Sequence, residues 1–159
     1  FEEINELFQG TTLILEHSED LRGIALVGVL KHIYAFSIGS VNGLGWGKNG
    51  KGWLVTKIIS EMEQVTKELG GDESAVFTVA GIGDLIGTGF SEDSCNFRHG
   101  TALGRGEASE LKSEGFNSLP FVLEMLGQGE EYLILSALKS AFMDSEAVKE
   151  VFDKLTEND

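Results

Sequence analysis

One lysine stands where a lysine is costly. Lys31 lies inside residues 23–38, a stretch apolar on nearly every helical face: Ile24, Leu26, Val27, Val29, Leu30, Ile33, Tyr34, Phe36 and Ile38. An ammonium group midway along such a helix loses its hydration unless it is paired or faces a cavity. The stem of an isolated lysine can snorkel to water, but no face of this helix is polar enough to offer an exit. A desolvated amine in that position is a usable proton donor and acceptor near neutral pH. Asp84 is the natural counterpart, a carboxylate framed by small and apolar residues in Ala80-Gly81-Ile82-Gly83-Asp84-Leu85-Ile86. Alone it reads as a loop or capping aspartate. One misplaced cation and one misplaced anion in a single chain argue for a pair, in which the carboxylate holds the amine and tunes its protonation.

Two other constellations invite chemistry. In Gly43-Leu44-Gly45-Trp46-Gly47-Lys48-Asn49-Gly50-Lys51-Gly52, the glycines at 45, 47 and 50 match G-x-G-x-x-G. That fingerprint needs a strand before it and a helix after it. Here a long helix precedes it, and Gly52 stands where a P-loop needs Ser or Thr, so both nucleotide motifs are rejected. The glycines suit a tight interhelical excursion and a close approach of backbone. Ser94, Cys95, Asn96, Arg98 and His99 form a polar opening to a helix, where free N–H groups favour an anion; on spacing alone a simple capped start is the better reading. Cys95 and His99 share a helix face but lack a third orienting group, which is weak support for a thiolate nucleophile. His17, His32, His99 and Cys95 lack ligand spacing, so no metal is expected.

The elements that must position these groups are helical. Residues 1–8 suggest a short acidic helix closed by Gly10. Residues 11–16 (Thr-Thr-Leu-Ile-Leu-Glu) read as a lone strand, which needs partners outside this chain. Residues 23–38 form a central helix. Six glycines fall in residues 39–52. Leu54, Val55, Ile58, Ile59, Met62, Val65 and Leu69 then trace an amphipathic helix stopped by Gly70-Gly71. Asp72 caps a short helix through Val79, and residues 81–91 make a glycine-punctuated loop or broken helix. Further helices are expected over 96–103, 119–126 (with Pro120 in the first turn behind Ser118) and 131–142, and over 145–155 behind Asp144.

Composition narrows the function. The 159 residues suffice for one domain with a core, and 42% hydrophobic content with 24% charged residues describes a globular chain. The single cysteine fits a reducing cytoplasm. A formal charge of −14 argues against nucleic acid and anionic membrane surfaces. The apolar run at 23–38 is shorter than a membrane span. The chain opens on Phe1 with its first methionine at Met62, so its start is expected to differ from the start of translation, and no signal peptide is recognised.

Gly28-Val29-Leu30-Lys31-His32, followed by Asn42-Gly43-Leu44-Gly45-Trp46-Gly47, resembles the G-x-x-K-N helix and D-G-L-G-x-G turn of NAD-dependent glycerol-3-phosphate dehydrogenases. Ala80 to Ile86 with Thr88 resembles that family's A-G-x-G-D-L-x-x-T motif, and Ser94 to Gly100 its S-R-N-R-x-x-G stretch. Leu103-Gly104-Arg105-Gly106 and Glu114-Gly115 follow in order, so the likeness covers essentially the whole chain. It implies a mainly α domain resembling the 6-phosphogluconate dehydrogenase C-terminal-like fold over residues 21–159, with residues 1–20, including a remnant strand, as the tail of a preceding Rossmann domain.

The resemblance also implies hydride exchange between NAD or NADP, bound mainly by that other domain, and C2 of glycerol 3-phosphate or dihydroxyacetone phosphate. Lys31 then takes the place of the family's catalytic lysine and Asp84 that of its partner. Thr88, Ser94, Asn96 and Arg98 fall at substrate positions, and Asn96 and Glu114 at cofactor positions. Partners would be a phosphorylated triose and, as an open assembly, a second copy in a homodimer. Two residues depart from the pattern: His32 replaces an asparagine, and Cys95 replaces the arginine expected to clamp the phosphate, leaving Arg98 three residues on to compensate. The alternatives are a non-catalytic helical binding or dimerisation homologue, and a dehydrogenase for a related non-phosphorylated hydroxy substrate.

Overall fold

The structure, a computed structural model, describes residues 1–144 and 147–157. Among them are eight α-helices: α1 (Glu2–Leu7), α2 (Leu21–Gly43), α3 (Lys48–Glu68), α4 (Asp84–Gly89), α5 (Cys95–Gly104), α6 (Glu114–Met125), α7 (Leu133–Phe142) and α8 (Val148–Glu157). A 3-10 turn, Glu73–Phe77, and a π turn, Val79–Gly83, link α3 to α4. The start expected for the last helix, at residue 145, lies outside the described residues.

The chain is built around α2. Every residue from 33 to 41 is buried, as a helix without a polar face requires, and α3, α4, α5 and α6 all pack against it. At 23 residues it extends well past its expected end at 38, and by length and composition it could cross a membrane. Its length therefore does not argue against a span. Its surroundings do, because most of its apolar stretch is covered by other helices of the same chain.

Glycine makes that covering tight. A Cβ on Gly39 or Gly43 would collide with the carbonyl oxygens of Phe97 and Thr101 on α5, and one on Gly100 or Gly104 with those of Phe36 and Ser40 on α2. The two helices thus meet backbone to backbone through glycines spaced four apart on each. Gly115 of α6 likewise sits under the carbonyl of His32. At the amino end of α2, the Asp20 carboxylate accepts from Gly23 N at 2.9 Å and from Asp72 N at 2.7 Å, fixing α2 to the 3-10 turn.

Several expectations change. The strand over residues 11–16 is not formed: among the described residues there is no strand, and without a neighbouring ladder β-branched residues cannot make one. Leu13 and Ile14 are left exposed. The glycine run belongs partly to α3, which begins at Lys48, with Gly47 as its N-cap and Gly50 and Gly52 inside it. Helix α6 starts at Glu114, capped by Ser113 Oγ, so Pro120 lies mid-helix rather than in the first turn. The Gly115 contact with α2 rewards that earlier start. The short helix behind Asp72 is the 3-10 turn, with Asp72 capping through Ser74 N at 2.8 Å.

One carboxylate belongs to the core. Glu61 of α3 is buried; its Oε1 accepts from Tyr34 OH at 3.0 Å and Leu135 N at 2.9 Å, and its Oε2 from Ile134 N at 2.7 Å. A side chain from α3 thereby satisfies the free amides that open α7. Burial pushes the Glu61 carboxyl up to about 7, against the opposing pull of the backbone amides and of Tyr34.

The folded state therefore holds the Glu61 proton more tightly than the unfolded one. Stability linked to this group is expected to fall as pH rises from about 4.5 to about 7. Urea midpoints measured across that window should drop more in the native chain than in Glu61→Gln. At the α2–α5 crossing, Gly100→Ala is expected to destabilise by about 2–3 kcal/mol through overpacking. Gly28→Ala, where an added methyl meets nothing, should stabilise by about 0.5–1 kcal/mol; equal effects in denaturant unfolding would refute the close crossing.

Candidate active site

Lys31 projects from the amino-terminal half of α2, its side chain only 15% exposed, and pairs with the Asp84 carboxylate. Asp84 reaches it because the π turn at Val79–Gly83 runs directly into α4 and delivers it as the first residue of that helix. Gly81 permits the turn, since a Cβ there would overlap the carbonyl oxygens of Val76 and Ala75. Thr88, one turn along α4, donates its hydroxyl to Asp84 Oδ1 at 3.0 Å. Burial opposes the carboxylate charge, but the hydrogen bonds from Lys31 and Thr88 and the lysine charge outweigh it and hold Asp84 below the usual carboxylate range.

Asp84 also lines a groove of 670 Å³. Its other walls include Ile14, Glu16 and His17 of the amino-terminal segment, Ile24 of α2, and Thr78, Val79 and Gly87. Glu16 Oε2 accepts from Val79 N at 3.0 Å, tying the amino-terminal segment to the π turn beside the pair.

A second cluster adjoins the first. His32 Nε2 lies 2.8 Å from Glu114 Oε2, and its Nδ1 lies 2.9 Å from Asn96 Nδ2. Asn96 Oδ1 accepts from Gly115 N at 2.8 Å. The heads of α5 and α6 are thus joined to α2 at the residue next to Lys31.

The residues singled out in the sequence therefore fall into three groups. Lys31, Asp84 and Thr88 converge, and Asn96 and Glu114 converge on His32. Ser94 caps α5, accepting from Phe97 N at 3.3 Å. Arg98 is exposed and lines a separate groove with Asn42, Thr101 and Arg105, so it does not meet the Lys31–Asp84 pair. Lys51, from the glycine run, donates to Asn42 Oδ1 at 2.9 Å. The His32–Glu114 contact was not foreseen, because nothing local in the sequence relates positions 82 residues apart. Among the described residues, no three His, Cys, Asp or Glu side chains are placed to hold a metal ion.

Residues 20–153 match the family model for the NAD-dependent glycerol-3-phosphate dehydrogenase C-terminus. The NAD(P)+ glycerol-3-phosphate dehydrogenase of Staphylococcus epidermidis is 35% identical over 164 residues, covering 98% of this chain and 49% of that protein. That of Saccharophagus degradans is 31% identical over 160 residues, covering 96% and 45%. A crystal structure of glycerol-3-phosphate dehydrogenase from Coxiella burnetii matches 98% of this chain and 50% of its own with a TM-score of 0.86, and at 24% identity it establishes the fold. The chain spans about half the length of the curated relatives it matches.

Removing the lysine isolates its effect on its partner. In Lys31→Met the burial around Asp84 is opposed mainly by Thr88, so the carboxyl should titrate at higher pH than in the native chain. Carboxyl carbon NMR follows this directly, and an unmoved midpoint would show that the pair does not govern Asp84.

Proposed function

This chain belongs to the family of NAD-dependent glycerol-3-phosphate dehydrogenase C-terminal domains, and from that premise we propose that it is the substrate-side half of an enzyme interconverting glycerol 3-phosphate and dihydroxyacetone phosphate. The observation that carries the proposal is the pairing of Lys31, mostly buried on the central helix, with Asp84, whose carboxylate lines an open groove. In the oxidation Lys31 accepts the C2 hydroxyl proton, and in the reduction it returns it to the carbonyl oxygen. Asp84 holds the amine in place and stabilises the ammonium form, while Thr88 fixes Asp84 and offers a hydroxyl on the substrate side.

NAD or NADP, when bound, supplies the two-electron exchange at C2. The exposed Glu114 carboxylate suits the edge of such a group, and Asn96, buried with its carboxamide held by Gly115 N and His32, would serve that edge by positioning it. No Gly-rich phosphate cradle in the strand–turn–helix setting a dinucleotide needs occurs among the described residues, so most of the dinucleotide is assigned to the other half. Residues 1–20 are proposed as the tail of that half and 21–159 as the substrate domain. In support, α1 buries none of its residues, and Ile4, Leu7, Leu13 and Ile14 are exposed, apolar surface suited to cover by another unit. A cytoplasmic location and a homodimer complete the reading.

Arg98 is proposed as the cation that substitutes for the arginine missing at Cys95. A second reading, a non-phosphorylated hydroxy substrate, draws on Cys95 itself and on the separate groove that Arg98 lines.

The complete gene product should oxidise NADH or NADPH with dihydroxyacetone phosphate. Lys31→Met should lower kcat/KM by roughly 10²–10⁴-fold, and Arg98→Ala should raise KM for the phosphorylated substrate about tenfold or more. Turnover of a non-phosphorylated hydroxyketone alone would select the second reading, and no turnover of either would leave a binding module.

A further inference from the structure

The cluster around His32 has a defined polarity. Asn96 Oδ1 accepts from the Gly115 amide, so the other end of the carboxamide, Nδ2, is the end that meets His32. An NH₂ group only donates. His32 Nδ1 must therefore be the acceptor and carry no proton, which leaves the ring proton on Nε2, facing the Glu114 carboxylate at 2.8 Å. Donors and acceptors run in one direction from the α6 amide through Asn96 and the imidazole to Glu114, with every contact satisfied.

We propose that His32 is a positioning residue held as its neutral Nε2–H tautomer, which latches Asn96 of α5 and Glu114 of α6 onto α2 beside Lys31 and releases Asn96 when the ring gains a second proton. The imidazolium has two N–H groups, so its Nδ1–H would point at the Asn96 NH₂, donor against donor. The charged groups facing the ring are Lys31 of α2, Glu114 of α6 and Asp84 of α4. Burial and then Lys31 disfavour the cation, and together they outweigh the two carboxylates, so His32 titrates below the ordinary imidazole range. The latch is thus closed at neutral pH and opens in mild acid.

The catalytic consequence rests on the function proposed above; the tautomer does not. In the 159-residue chain at pH 7.5, imidazole nitrogen NMR should show Nε2 protonated and Nδ1 bare. The midpoint should lie below 6.5, and Glu114→Gln should move it lower still by removing the carboxylate that favours the cation. A protonated Nδ1, or a midpoint above 6.5, would overturn the proposal whatever the protein catalyses. In the complete gene product, kcat/KM one pH unit below that midpoint should fall about tenfold, and His32→Asn should remove this acid limb, since an amide does not titrate there. An acid limb unchanged in His32→Asn, alongside the expected tautomer, would overturn the positioning role. Absence of triose phosphate turnover would count against the proposed function and leave the NMR result to decide the latch.

Discussion

The fold rests on the way a helix without a polar face is covered. α2 presents apolar side chains all round, so other helices must enclose it, and the closest of them reach its backbone rather than its side chains. Gly39 and Gly43 against Gly100 and Gly104 set the relation of α2 to α5, and Gly115 under the His32 carbonyl sets that of α6. With carbonyls and Cα atoms in direct apposition there is little slack to absorb. Dense packing of this kind transmits small displacements rather than damping them. Lys31 and His32 thus inherit their places from contacts made by residues with no side chain.

Against that rigid background the polar groups are few and directional. Lys31, Asp84 and Thr88 form one short chain, and Gly115, Asn96, His32 and Glu114 form another. The two run side by side on α2 and share an electrostatic environment, since Lys31 and Asp84 both act on His32. Where the resemblance leads one to expect an asparagine, the imidazole at 32 adds a group whose hydrogen-bonding sense changes with its charge.

Much of this was legible in the sequence. Lys31 and Asp84 announced themselves as charges in apolar settings, and the all-apolar stretch around Lys31 gave the central helix. The periodicity from Leu54 to Leu69 gave α3, although its start came six residues earlier. What stayed hidden was non-local. Residues 11–16 have the local preference for a strand, but a strand is a property of pairs. The start of α6 was assigned to the stretch beginning at Leu119 because Pro120 is a strong local signal, whereas the Ser113 cap and the fit of Gly115 under α2 decide it. The glycine crossing had a visible trace in its four-residue spacing on both helices, but Gly39 and Gly43 read as part of an interhelical excursion until the partner helix is known. Glu61 had one too: it falls on the same face as Leu54, Ile58 and Val65, an unusual address for a carboxylate.

Glu61 carries a consequence for the order in which the chain acquires its structure. Its donors come from Tyr34, 27 residues before it, and from Ile134 and Leu135, 73 and 74 residues after it. A core closed around α2 and α3 without α7 would leave the Glu61 carboxyl with one of these three donors. Residues 134 and 135, in the last third of the sequence, thus complete the surroundings of a side chain in its middle third, and long-range closures of this sort are slow. Because a buried polar group left without partners is costly, this one side chain couples the stability of α2 and α3 to the docking of α7.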